Sequence, residues 1–187
     1  MKVFINPGHM PGIDSGAVNR VLHLQECDIA LSLGNLLEGK LKNAGCIVRL
    51  LQSDNLCGEA PPAPNICSAA NSWAADVFVS LHCNSYNTVA RGIETLCYVW
   101  DSHAGILAQA IQKQLVDTLQ KLDQTIPDRG IKIRPDLAVL RCTAMPAVLV
   151  ETAFIDNADD ALLLVSQQET IAAAIARGIT DYWCQLC

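Results

Sequence analysis

Short apolar runs with strand character alternate along this chain with longer stretches of helical spacing, and that alternation limits the fold more than any single residue does. KVFIN (2–6) and CIVRLL (46–51) frame a segment, 24–44, whose apolar residues at 29, 30, 33, 36, 37 and 41 fall on one helical face, with Gly45 as its stop. A short helix at about 65–75 leads into DVFVSLH (76–82), and GIETLCYVW (92–100) is followed by a long helix over 104–119. LAVLR (137–141) and AVLVE (147–151) read as strands, and ADDALLLVS and QETIAAAIARGITDYW close the chain as helices. Strands that alternate with helices in this way build a three-layer α/β sheet with crossover connections.

Composition narrows the classes further. With 187 residues, 51% of them hydrophobic and 17% charged, the chain has material for one sizeable core, and residues 1–187 read as one domain. Thirteen basic against 19 acidic residues give a formal charge of -6, the wrong sign for nucleic acid. Arg141, Glu151 and Arg177 interrupt the most apolar tracts, so no run reaches the roughly 18 residues of a membrane span. The first residues hold one lysine and a short strand ending in Asn6-Pro7-Gly8, too short for the apolar region of a signal peptide. Either the chain is made without a signal or this sequence lacks it. The nine cysteines are scattered, odd in number and set mostly among apolar residues, which favours buried reduced thiols. Cys57 and Cys67 flank a Pro-rich loop and can pair under oxidising conditions, while the terminal CQLC, a lone pair, carries no function.

Three strands end in residues with metal or proton chemistry: His9 after the first, His82 at the third, and Glu151 at AVLVE. The carboxyl ends of parallel strands share one edge of an open α/β sheet, so these side chains can meet. Glu26, in the first turn of the first long helix, starts from the same edge. Taken singly, each has a plain structural use: a satisfied polar histidine, a solvated glutamate, or a carboxylate facing a helix dipole. Together, two imidazoles and a carboxylate with an open fourth position make a known catalytic zinc arrangement, with Glu151 left free as a base. Of the other histidines, His23 is expected to be solvated, and His103 to lie at the exposed cap of the long helix after Asp101-Ser102.

NPGHMPGIDSGAV, Glu26, AANSWAADVFVSLHCNS, GIET, DRGIKIRPDLAVLR and MPAVLVETAFIDN, in that order and spacing, resemble the zinc-dependent N-acetylmuramoyl-L-alanine amidases that cleave bacterial peptidoglycan. The resemblance covers nearly the whole chain. It implies a mixed, mainly parallel central sheet of about six strands flanked by helices on both faces. It also implies one zinc ion on His9, Glu26 and His82, Glu151 as catalytic carboxylate, and hydrolysis of the bond between the lactyl carbonyl of N-acetylmuramic acid and L-alanine. Glu94 in GIET and Asn84 are expected to support the site or touch substrate, and Arg141 either holds a substrate carboxylate or pairs with a local acid. Action at the bacterial wall, on its extracellular or periplasmic face, follows; release of a cytoplasmically made lytic enzyme is one compatible route.

The sequence departs from the family pattern in places. Asn6 stands where the family usually has Asp, Met10-Pro11 replaces the first Gly of a Gly pair, and Gln52 stands where an Arg is common. None removes an expected ligand. Two other readings are a wall-binding module without metal, disfavoured because all four chemical positions are filled, and a different zinc peptidase or carboxypeptidase, disfavoured because the resemblance extends through loops beyond the ligands.

Overall fold

A computed structural model describes residues 1–186. The first apolar run forms β1 (Lys2–Pro7), buried at every position after Lys2 because it lies inside the sheet, with β4 (Ile47–Leu50) and β5 (Val77–Asn84) parallel to it on either side. β8 (Ala147–Phe154) adds parallel to β5. β6 (Ile93–Cys97) then pairs antiparallel with β8, and β7 (Asp128–Ile133) pairs parallel with β6. The six-stranded order is β4-β1-β5-β8-β6-β7. This is the expected mixed, mainly parallel α/β sheet.

Alternation along the strands sorts the core into two layers. Val3, Ile5, Val77 and Val79 face α1 (Glu26–Asn43), α3 (His103–Leu119) and α6 (Gln168–Cys184), which contribute Leu33, Leu37, Ile111, Leu115, Ile175 and Ile179. Phe4, Phe78 and Leu149 face the other way, onto α2 (Ile66–Ser72) and α4 (Ala138–Arg141). Phe4 and Phe78 stack with ring centroids 5.7 Å apart. A small hairpin of β2 (Val18–Asn19) and β3 (Leu24–Gln25) joins β1 to α1, and α5 (Ala158–Ser166) follows β8.

Two elements differ from the sequence reading. Residues 137–141 are not a strand: Leu137 is extended, and Ala138–Arg141 makes a single helical turn that buries Val139 and Leu140 against the Phe4 layer. A run of five residues is too short for its period to separate strand from helix. The sixth strand is instead β7, DRGIKI, an edge strand with exposed charged residues and only two apolar ones, Ile131 and Ile133. β6 ends at Cys97, and Tyr98, Val99 and Trp100 leave the sheet half-exposed. All eight described cysteines are free thiols; Cys27, Cys67, Cys83 and Cys97 are buried, while Cys57 and Cys184 are exposed. The CQLC reading reaches Cys187, which lies outside the described residues.

Asn6 and Gln52, two of the departures from the family pattern, turn out to be structural neighbours. The buried Asn6 amide donates to the Pro7 and Leu51 carbonyls and accepts from the Ser80 hydroxyl. Gln52 donates to the carbonyls of Gly8 and Cys27. Neutral amides at both positions thus tie the ends of β1 and β4 to α1, where a carboxylate at position 6 would face carbonyl oxygens.

Behind the far half of the sheet, the fully buried Asp160 accepts from Arg91 Nε at 2.8 Å, Gly92 N at 2.9 Å and Phe154 N at 3.1 Å. Arg91 also pairs with Asp123 at 2.6 Å. Removing one partner of a buried pair strands the other, so Asp160→Ala is expected to lower unfolding stability by about 3 to 5 kcal/mol in urea titrations. Lys113→Ala, which breaks the exposed pair with Asp117, is expected to cost less than about 1 kcal/mol. Equal costs for the two would contradict this account.

Candidate metal centre

Because β1, β5 and β8 run parallel, the residues at their carboxyl ends reach one sheet edge; β6 runs the other way, so Glu94, near its start, reaches the same edge. His82, Glu151 and Glu94 are register partners across three adjacent strands. Glu151 lies inside β8, which continues to Phe154, rather than at the strand's end.

His9 arrives from the turn after β1, in a left-handed conformation at φ 60° that is uncommon outside glycine. The turn closes through Met10 N to the Asp14 carbonyl at 2.9 Å. Two glycines make room for the cluster. A Cβ on Gly8 would lie 2.3 Å from the His82 ring, and one on Gly16, itself at φ 65°, would lie 2.5 Å from the His9 ring and 2.6 Å from Glu26 Oε2. Gly16 is therefore required twice over, for its backbone conformation and for the space it leaves.

Glu26 is the centre of the group, with a side chain only 5% exposed. Its Oε1 lies 2.9 Å from His82 Nδ1 and accepts from Cys83 N at 3.0 Å. Its Oε2 lies 3.2 Å from His9 Nε2 and accepts from Ala17 N at 2.8 Å. One ligand atom from each of His9, Glu26 and His82 falls within 4.8 Å of the others, a group that can hold a metal ion. Asp14 Oδ2 lies 2.6 Å from His9 Nδ1, so one ring nitrogen is oriented by a carboxylate while the other points inward, the usual support for a metal-ligating histidine.

The charges follow this geometry. Burial alone would raise the Glu26 carboxyl, but hydrogen bonds from His82 and His9 outweigh it and hold the group below the usual carboxylate range. The hydrogen bond to Glu26 raises His9 to about 9 against the opposing effect of burial, and Asp14 adds to the rise. Glu151 moves the other way. Burial pushes it up to about 7, the charges of Glu26 and Glu94 add to this, and His82 opposes it. Its Oε2 is buried with no hydrogen-bond partner among the described residues.

Around the cluster, Asn84 donates to Glu94 Oε1 at 2.8 Å and Arg129 Nε donates to Glu94 Oε2 at 3.0 Å. The structure thus brings Asn84 and Glu94 to the edge that holds the cluster. It does not bring Arg141 there. That side chain donates to the Asp136 carbonyl and lines a separate cavity of about 460 Å³ with His103 and Tyr98. His23 is exposed, and His103 opens α3 just after its Ser102 cap. Sequence reasoning missed Asp14, Arg129 and Arg134, the last lying in the field of both Glu151 and Glu94. The signal for Asp14 was its place five residues after His9, across a Pro-Gly turn. Beside His9 and His82 opens a cleft of about 170 Å³, walled by Leu56, Leu137, Val139 and Leu149.

The shifts fix the sign of a pH effect in chelator-treated protein. His9 stands at about 9 against 6.5 unfolded, so its stabilisation is complete below pH 6.5 and is lost as pH rises through 9. Glu151 stands at about 7 against 4.5, so ionising it in the folded chain costs stability as pH rises from 4.5. Glu26 acts oppositely, losing its contribution as pH falls below 4.5. The melting temperature of the metal-free protein is therefore expected to peak near about pH 5 and to decline towards about pH 9 in calorimetry at constant ionic strength. A steady rise over that range would contradict the assignment.

Comparison with known proteins identifies the family. The family model of the N-acetylmuramoyl-L-alanine amidases matches residues 3–181. An uncharacterized protein of Bacillus subtilis, YqiI, is 38% identical over 98% of this chain and 85% of its own length. The endolysin of Bacillus phage SPP1 is 36% identical over 96% of this chain, which spans 65% of that relative. Among solved structures, the N-acetylmuramoyl-L-alanine amidase AmiC2 of Nostoc punctiforme superposes with a TM-score of 0.81 at 30% identity, over 98% of this chain and 97% of that one. With a family model matching residues 3–181, nearly the whole chain, this chain belongs to the N-acetylmuramoyl-L-alanine amidase family.

Proposed function

We propose that this chain hydrolyses the amide between N-acetylmuramic acid and L-alanine in bacterial peptidoglycan, with one zinc ion held by His9, Glu26 and His82 and with Glu151 as general base and acid. The observation that carries the reading is the division among the carboxylates. Glu26 is committed to both imidazoles, whereas Glu151, next to His82 in the register, keeps a buried oxygen with no partner among the described residues. The donor set of two imidazole nitrogens and a carboxylate oxygen suits zinc and leaves a position open for substrate. When bound, zinc supplies the Lewis acidity that polarises an amide carbonyl and makes water acidic enough to attack at neutral pH.

The chain's own residues do the rest. Glu151, raised to about 7, accepts a proton from the attacking water at neutral pH and returns it to the departing alanine nitrogen, without which the amine is a poor leaving group. Asp14 fixes the His9 ring. Arg129 and Asn84 hold Glu94 in place beside Glu151, so that its charge helps keep the base protonatable. The apolar cleft beside His9 and His82 takes the methyl-bearing lactyl and alanyl groups and thins the water around the reacting bond. Cell-wall amidases and endolysins among the relatives support action at the wall, and no helix among the described residues is long and apolar enough to cross a membrane.

Digestion of purified sacculi followed by mass analysis tests the bond. Intact stem peptides with a free alanine amine are expected; trimmed stems would indicate a peptidase, and no release a binding module. The roles separate in two variants. Glu151→Gln is expected to keep zinc near the wild-type content while the cleavage rate falls by roughly two to four powers of ten. His9→Ala is expected to lose metal and activity together, as is His82→Ala. Loss of zinc in Glu151→Gln, or full activity there, would reverse the assignment of the two glutamates.

A further inference from the structure

Amide hydrolysis leaves the cysteines unused, and three of them converge. Cys57 lies in the loop after β4, Cys67 is the second residue of α2, and Cys142 follows α4. The sulfurs of Cys57 and Cys67 are 3.4 Å apart, and both lie by the Ala138 carbonyl, at 3.9 and 3.8 Å. Cys142 borders the same space, and its thiol helps to push Cys57 up. A cavity of about 310 Å³ opens onto all three sulfur-bearing residues, with Asn65, Ser68, Asn71 and Ser72 completing its wall. Cys57 is exposed and Cys67 buried, so a reagent in this cavity meets Cys57 first.

We propose that this cluster is a thiol–disulfide exchange site, at which a small-molecule disulfide oxidises Cys57 and Cys67 to an intramolecular bond. The Cys57 sulfur attacks the reagent, forming a mixed disulfide and releasing one small thiol. The Cys67 sulfur then attacks Cys57, forming the internal bond and releasing the second. Two protein thiols are oxidised, one reagent disulfide is reduced to two thiols, and the protons leave with them. Cys142 is the competing attacker, disfavoured because Cys67 already approaches within 3.4 Å. Partial desolvation and the neighbouring Cys142 and Cys67 thiols push Cys57 up, and burial pushes Cys67 up, so exchange is slow at neutral pH and speeds up as pH rises.

The bond would tie the Pro-rich loop to α2. That loop follows Ser53, Asp54 and Leu56, which wall the cleft beside His9 and His82, and Ala138, the neighbour of both sulfurs, lines the same cleft. Oxidation therefore stiffens one wall of the cleft from behind without touching a residue of the metal-binding group. The inference does not depend on which bond the enzyme cuts.

The test incubates the full chain overnight with excess oxidised glutathione at about pH 9, because the raised thiols leave only a small reactive thiolate fraction. Intact mass and peptide mapping are then read on wild type, Cys57→Ser, Cys67→Ala and Cys142→Ser. Wild type is expected to lose two hydrogens through a Cys57–Cys67 link and to melt about 5 °C higher, as closing a loop of this length implies. Cys142→Ser is expected to behave the same, Cys67→Ala to stop at a stable glutathione adduct on Cys57, and Cys57→Ser to form no link. Wild type left unreacted, stopped at the adduct, or linked from Cys57 to Cys142 would overturn the proposal.

Discussion

One carboxylate holds this site together. Glu26 sits between two imidazoles, and its oxygens also receive two backbone N–H groups, from Ala17 in the connecting loop and Cys83 in β5. Four partners are required because a carboxylate so deeply buried would otherwise be driven to neutrality. The hydrogen bonds keep it charged, and its charge in turn draws His9 out of its turn and against His82, whose ring centroid is 5.1 Å away. The rest of the architecture can be read as what brings those partners to one point. Parallel strands deliver His9 and His82, and α1 returns from the same edge with Glu26 as its first residue.

Assembling charge this densely makes demands on the backbone. His9 occupies a left-handed conformation, and Gly8 and Gly16 must lack side chains to admit the rings. Such local strain persists only where the surroundings fix it, and here the braces are polar: the buried Asn6 and Ser80 and the half-buried Gln52 beneath the turn, and the exposed Asp14 across it. The same edge keeps a second carboxylate, Glu151, in the opposite electrostatic state, raised rather than depressed and unpartnered at one oxygen. Two glutamates separated in this way suit the proposed division of labour, one to hold a cation and the other to move a proton.

Much of this was legible in the sequence because it rests on local patterns. The alternation of strand and helix fixed the class, and the strand-end positions of His9 and His82 already placed them on a shared edge. What was not legible depends on tertiary context. β7 escaped notice because it has only two apolar residues, Ile131 and Ile133, set among charged and glycine positions, too few for a strand pattern. The 137–141 run looked like a strand because its apolar residues are consecutive, yet one helical turn buries Val139 and Leu140 equally well. Asp14 and Arg129 act through partners that only the folded turn and sheet bring near, and Arg141, flagged by its place after an apolar run, lies by a different cavity.

The atoms that surround a bound zinc ion decide whether His9, Glu26 and His82 hold it. X-ray absorption at the zinc edge, on protein loaded with one equivalent, reads them directly. The expected result is a shell of nitrogen and oxygen alone at about 2.0 to 2.2 Å, with the outer scattering of two imidazole rings. Sulfur scattering at about 2.3 Å would place the ion among cysteines instead and contradict a site built on His9, Glu26 and His82.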